Sequence, residues 1–312
     1  MSLLERLSVP LVSSQREEPS DLPLEPATLT ILFALTSALT FALSIQMQNI
    51  GLQYTDPQTG AMISIVATLV FYLPFAPFWI ESHFWFTKAT LLFGLVGLML
   101  PAMSSTLSAT GVKILGPTLT SGLAATSPIF AIVFGILLLG EAINANNLFG
   151  TLFVVTGIGI AALNPRGLKR SWPLWAMALP FGAALIRASG QAVTKIGLLD
   201  VPSSFFASFV AFITSTIVAV LAFVARGKRF PPLSTRLNGF IYSGIFNGIG
   251  VLTLNAALKS GDLVLVAPIV SSSPVFAMLL GAFVFKRETI SWRTVATILL
   301  VVPGVILVTM SG

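Results

Sequence analysis

The chain has 312 residues, of which 55% are hydrophobic and 9% charged, with a formal net charge of +6. Soluble domains carry nearer a quarter charged residues, and a soluble fold of this length could not hide so much apolar surface, because its exterior must be wetted. A bilayer removes that limit by serving as the solvent for the apolar face. The chain has no cysteine, which excludes disulfides and thiol chemistry.

Residues 1–27 differ from the remainder of the chain: Glu5, Glu17, Glu18, Asp21 and Glu25 accompany four prolines and no long apolar run. This composition predicts a flexible tail and not a cleaved signal peptide. Beyond it, no Asp, Glu, Lys or Arg occurs in 27–55, 57–80, 89–112, 114–140, 142–165, 201–225, 237–258, 263–285 or 294–312. A spanning helix needs about 20 largely apolar residues. Segment 171–197, apolar apart from Arg187 and Lys195, completes the set. The predicted helices are 28–51, 57–80, 88–112, 118–140 and 146–163, then 173–197, 202–225, 237–259, 263–285 and 292–310. Asn164, Pro165, Arg166 and Gly167 begin a linker over 164–172. Apolar residues run continuously instead of alternating, which disfavours a β-barrel.

The two halves repeat. Ile50-Gly51-Leu52 returns as Ile196-Gly197-Leu198, Lys113 as Lys259, and Ser127-Pro128-Ile129-Phe130-Ala131 as Ser273-Pro274-Val275-Phe276-Ala277, all 146 positions later. After one inserted residue, Glu141 maps onto Glu288 and Gly157 onto Gly304. Five helices per half is an odd number, so the chain enters its second half from the opposite face of the membrane. The expected fold is therefore an all-α membrane protein of ten transmembrane helices in two inverted five-helix repeats, 28–163 and 173–312. Such repeats typically hold a substrate between them near the midplane.

These residues carry a resemblance. Lys113-Ile-Leu-Gly-Pro, Ser127-Pro-Ile-Phe and Leu138-Leu-Gly-Glu141, with the second copy Ala257-Leu-Lys259-Ser-Gly-Asp, Ser273-Pro-Val-Phe and Glu288, resemble the drug/metabolite transporter superfamily, EamA type. The second copy departs from the pattern in ending Phe285-Lys-Arg-Glu288. The resemblance implies a secondary transporter of metabolites, amino acids or drugs, often an exporter, working by alternating access in the cell membrane.

Arg187 is the most informative polar residue. An arginine at a helix centre costs roughly 2.5–3.5 kcal/mol on insertion scales and usually faces a cavity or a partner. Gln191 and Thr194 share its face. A guanidinium fork suits carboxylate or phosphate, which points to an anionic or zwitterionic small-molecule solute; snorkelling to an interface is the structural alternative. No acidic residue lies within a predicted span, so Arg187 has no expected carboxylate partner there, and an embedded Asp or Glu proton relay is disfavoured. Gln46, Ser105, Asn247, Asn255, Ser271 and Ser272 are further substrate-binding candidates, because lipid cannot satisfy their polar groups; helix–helix hydrogen bonds would satisfy them equally. Pro128 and Pro274 are expected to kink helices four and nine. Glu141 and Glu288 are expected to start the helices next in the chain. Gly94, Gly97, Gly244, Gly248 and Gly250 suit close helix contact.

A catalytic centre or metal site finds no support: His83 is the only histidine, and it lies between apolar segments without metal-ligand spacing around it. No cofactor is implied. The positive charge sits in loops, where it suits lipid head groups and not nucleic acid. A scaffold or receptor, or an intramembrane enzyme, remains as an alternative class, and oligomeric state is not encoded legibly.

Orientation is read from the same charges. One side collects Lys113, Arg166, Lys169, Arg170, Arg226, Lys228, Arg229, Arg236, Lys286, Arg287 and Arg293; the other has Arg6, Arg16, Lys88, Lys195 and Lys259. The positive-inside rule puts the first set, with the central linker, in the cytoplasm and both termini outside, whereas the family resemblance implies cytoplasmic termini. A reporter active only in the cytoplasm, fused to Gly312, should be inactive on the charge reading; activity there reverses it.

Overall fold

The computed structural model describes residues 26–162, 173–227, 234–286 and 291–310; the tail up to residue 25 and the central linker fall outside them. The described residues form helices and turns. Helices α1 (Pro26–Gly51), α2 (Pro57–Tyr72), α3 (Ala76–Trp79), α4 (Lys88–Leu98), α5 (Ser105–Leu115), α6 (Pro117–Ala124), α7 (Ser127–Leu139) and α8 (Ala145–Ala162) make the first half. The second half has α9 (Ala178–Asp200), α10 (Ser204–Ala225), α11 (Asn238–Ser260), α12 (Leu263–Ser271), α13 (Ser273–Leu279) and α14 (Trp292–Thr309).

Among the described residues seven helical segments are long and apolar enough to cross a membrane: Pro26–Gly51, Leu119–Leu139, Ala145–Ala162, Ser204–Ala225, Thr235–Ser260, Leu263–Val284 and Trp292–Thr309. The other three expected spans are helical too. Pro57–Tyr72 has 16 residues and ends in turns instead of running to 80. Lys88–Leu98 passes through a π-helical stretch, Met99–Ser104, into Ser105–Leu115. Ala178–Asp200 has 23 residues and bears Arg187 and Lys195. The chain is thus an all-helical membrane protein with the segment order read from its sequence.

The repeats meet through contacts that come in matched pairs. Glycines show this best, because an added Cβ would strike the partner. At Gly244 it would overlap the Ser64 carbonyl oxygen, and at Gly97 that of Ala211. A Cβ on Gly51 would meet the Phe240 ring at 2.6 Å, and one on Gly197 the Phe93 ring at 2.5 Å. A Cβ on Gly150 would fall 2.6 Å from the Gly304 carbonyl oxygen, while the Thr297 hydroxyl donates to the Gly157 carbonyl at 3.0 Å. In each pair both residues of one contact map onto those of the other after a shift of 146 or 147 positions. Residue i touching j′ while j touches i′ is what a two-fold axis produces. Gly94 is looser than expected, with its nearest such neighbour, Thr214, at 3.6 Å.

Side chains stitch these contacts. Ser64, Thr68 and Tyr72, one turn apart on α2, donate to the carbonyls of Phe240, Gly244 and Gly248 on α11 at 2.9, 2.6 and 2.8 Å. Equal spacing on both helices means they run parallel. Ser37 and Ser44 on α1 donate to the Gly250 and Ser243 carbonyls of α11. Ser215 on α10 donates to Gly97 at 3.0 Å.

Pro128 and Pro274 lie at interruptions within the spans Leu119–Leu139 and Leu263–Val284. Each sits in the first turn of a helix that restarts after a break, where its missing N–H costs nothing. The breaks are equivalent. Thr126 donates to the Leu123 carbonyl at 2.7 Å, and Ser272, 146 positions later, to the Ile269 carbonyl at 2.6 Å. Each hydroxyl adds a second hydrogen bond to a carbonyl that also accepts the backbone N–H of the same residue, at 3.2 Å for Thr126 and 3.1 Å for Ser272.

Two substitutions test this packing. Gly97→Val and Gly244→Val should each force the same pair of helices apart in opposite repeats and lower the thermal unfolding temperature in detergent by similar amounts. Thr68→Val, nearly isosteric, removes one interhelical hydrogen bond and should cost only about 0.6 kcal/mol, to at most about 1.7.

Candidate functional site

Helix α9 is the centre of the molecule, packed against α4, α5, α6, α7 and α11. Its small residues allow this: Ala183, Ala184, Ala188, Gly190 and Ala192 are all buried. Just before Arg187, two side chains from the first repeat bond its backbone. Ser104, at the end of the π-helical stretch, donates to the Ala183 carbonyl at 3.2 Å, and Ser127, at the restart of the fourth span, to that of Ala184 at 3.3 Å. Both helix interruptions of the first repeat therefore abut α9 at the level of Arg187.

Arg187 itself is exposed, yet protein packs densely around it. Among the described residues it makes no hydrogen bond or ion pair, and neither does Gln191 one turn on. Asn247 and Ser271, both half-buried, are likewise without a hydrogen-bond partner among the described residues.

Other sequence candidates are occupied. Gln46 is buried and its Nε2 donates to the Ala277 carbonyl at 2.7 Å, tying α1 to α13. Asn255 is buried and donates to Ser208 Oγ at 2.9 Å, tying α11 to α10. Ser272 closes the helix break described above. The Ser105 side chain lies outside the described residues. His83 is a surface residue 3.4 Å from Glu81, and no group of three metal-ligating side chains occurs among the described residues.

A second polar cluster emerges only from the fold. Glu141 does not start the helix after it, contrary to the sequence expectation; it crosses to the other repeat. Its Oε1 accepts from the Leu263 N–H at 2.8 Å and its Oε2 from the Val264 N–H at 2.9 Å, at the start of α12. The reason is local: Asp262, the N-cap of α12, makes no side-chain cap, so the first turn leaves donors and a positive helix end unmet. Lys195 Nζ lies 2.6 Å from Glu141 Oε1 and donates to the Gly261 carbonyl at 2.8 Å, with Asp262 at 3.3 Å. The Glu141 and Lys195 side chains are only 4% and 12% exposed. Gly135 makes the room, since a Cβ there would fall 2.7 Å from Glu141 Oε2 and 2.8 Å from Val264. The legible signal was Lys195, eight positions beyond Arg187 and so on the same face of α9.

Comparison with known proteins agrees with this architecture. An uncharacterized transporter of Archaeoglobus fulgidus is 27% identical over 187 residues, a match covering 59% of this chain and 63% of that relative. A solved crystal structure, described only as that of a protein, superposes with a TM-score of 0.75 at 17% identity, over 91% of this chain and 96% of the other, a likeness of fold. The model of the EamA-like transporter family matches twice, over residues 28–163 and 174–310. With both halves matched, the chain belongs to the EamA-like transporter family and is a multi-pass membrane protein that spans 63% of the length of that curated relative.

Proposed function

We propose that the protein is a secondary transporter that carries a small anionic or zwitterionic metabolite, such as an amino acid, by alternating access, with Arg187 as the residue that binds the solute's negative group. Export is the direction the family resemblance implies. The observation that supports the reading is the isolated guanidinium. At membrane depth an arginine normally has a carboxylate or carbonyl partner, and the described residues offer Arg187 none. A solute carboxylate or phosphate would supply the missing charge through two parallel N–H···O bonds. Gln191, one turn away and equally unengaged, would add a donor and an acceptor to the same solute. The helix interruptions beside α9 suit a site that must be reshaped when one repeat rocks against the other.

Thermal-shift screening of amino acids, dicarboxylates and sugar phosphates should reveal a stabilising solute, and that solute should then be taken up into proteoliposomes. Arg187→Ala should lower flux roughly ten- to a hundredfold, corresponding to about 1.5–3 kcal/mol for a hydrogen bond to a charged group. Arg187→Lys should retain part of it, because charge is kept while the fork is lost. Wild-type flux in Arg187→Ala would overturn the assignment.

A further inference from the structure

We infer that Glu141 and Lys195 form a gate that closes the solute pathway on the side of the 140–146 connection, and that the repeat does not supply the same set of partners on the opposite side. This rests on the transport reading above and specifies how one of its two openings is controlled. The contacts join all the parts that would separate. Glu141 hangs from the end of α7 in the first repeat; Leu263 and Val264 open α12, and Lys195 stands near the end of α9, both in the second. No opening between the repeats on that side is possible while one buried carboxylate holds both.

The repeat provides a built-in control. A two-fold axis would place a matching clasp on the other side, assembled from residues 146 or 147 positions away. Glu141 has a counterpart in Glu288, but Lys195 corresponds to Asn49, Asp262 to Gly116, Leu263 to Pro117 and Val264 to Thr118. Asn49 has no charge with which to pair a carboxylate. Pro117 has no N–H, so one of the two backbone donors is missing. The set of Lys195, Asp262 and two adjacent N–H groups is thus complete in one copy only, although the glycine that makes room for the clasp is kept in both, as Gly135 and Gly281.

Position along α9 links the gate to the binding residue. Arg187, Gln191 and Lys195 occupy successive turns of one face. Gln191 therefore lies between the proposed solute site and the clasp, and a reagent reaching it from the Lys195 end must pass the gate.

The cysteine-free sequence makes the test direct. A single Gln191→Cys is labelled with a membrane-impermeant maleimide in sealed vesicles of either orientation. Phe86→Cys, 93% exposed, marks the side of the 140–146 connection, and Tyr54→Cys, 57% exposed, marks the other. In the otherwise unmodified chain, Gln191→Cys should react from the Tyr54 side. Adding Glu141→Gln or Lys195→Met should raise its reaction from the Phe86 side by roughly tenfold or more, a change of about 1.4 kcal/mol in the opening equilibrium. Gly135→Ala, which crowds the clasp without touching its charges, should do the same, and Lys195→Arg should stay near the parent level. Unchanged access from the Phe86 side in the Gln, Met and Ala variants, with each eluting as a folded species, would overturn the gate. Flux is measured separately in chains without the reporter cysteine. Altered access with no flux for any solute in the unmodified protein would remove the transport reading and leave the gate, whereas flux with unmoved access would do the reverse.

Discussion

Hydrocarbon offers no hydrogen bonds, and this single constraint organises the molecule. Each hydroxyl or amide placed within a span must find its partner inside the protein. The chain meets the demand mostly with small polar residues aimed at backbone carbonyls of a neighbouring helix: Ser37, Ser44, Ser64, Thr68, Tyr72, Ser104, Ser127, Ser215 and Thr297 all act in this way. Such bonds require backbones to approach closely, which is why their acceptors cluster at Gly97, Gly157, Gly244, Gly248 and Gly250. Satisfaction is nearly complete: among buried side-chain polar atoms of the described residues, only the hydroxyls of Thr151 and Thr216 have no partner. Against that background an unengaged guanidinium stands out as an energetic exception, and exceptions of this kind concentrate where a protein does its work.

The same constraint explains which parts of the structure were legible in the sequence. Continuous apolar runs marked the helical segments, seven of which are long enough among the described residues to cross a membrane. The 146-residue offset fixed the repeat, and an odd number of spans fixed its inversion. Arg187 could be singled out because charge is so rare in the spans. What stayed hidden depended on contacts between distant segments. Gln46, Asn255 and Ser272 look as promising in the sequence as Gln191 or Asn247, but the first three are bonded to Ala277, Ser208 and Ile269. Periodicity tells which face is polar, not whether a protein group already occupies it. The partners of Glu141 are hidden for the same reason. A carboxylate at a helix end ordinarily suits the next helix in the chain, and only the fold reveals an uncapped α12 within reach.

Pro128 and Pro274 teach a related lesson about local rules. Proline inside an apolar run implies a kink. Here the run contains two helices end to end, and each proline occupies the first turn of the second, a position that suits it. Thr126 and Ser272 close the preceding ends with equivalent hydrogen bonds. The interruption is therefore a feature encoded in both copies by a hydroxyl with proline two residues later, Thr126-Ser127-Pro128 and Ser272-Ser273-Pro274. Its hydrogen bonds stay within each helix, so the break can be maintained without help from the other repeat.

Helix α9 finally shows why two cations on one face behave so differently. Lys195 lies near the helix end, where a loop acid, a loop carbonyl and the start of α12 converge, and its ammonium is fully engaged. Arg187, two turns earlier, faces a level of the bundle where the neighbouring spans are interrupted and acids are absent. Both cations carry a desolvation cost that only a negative partner offsets. For Lys195 that partner is covalently part of the chain, so the interaction holds the repeats together. Among the described residues Arg187 has no such partner, and this is the observation on which the proposed solute-binding role rests. On the proposed reading, a resident carboxylate beside Arg187 would compete with an anionic solute, and none lies beside it among the described residues.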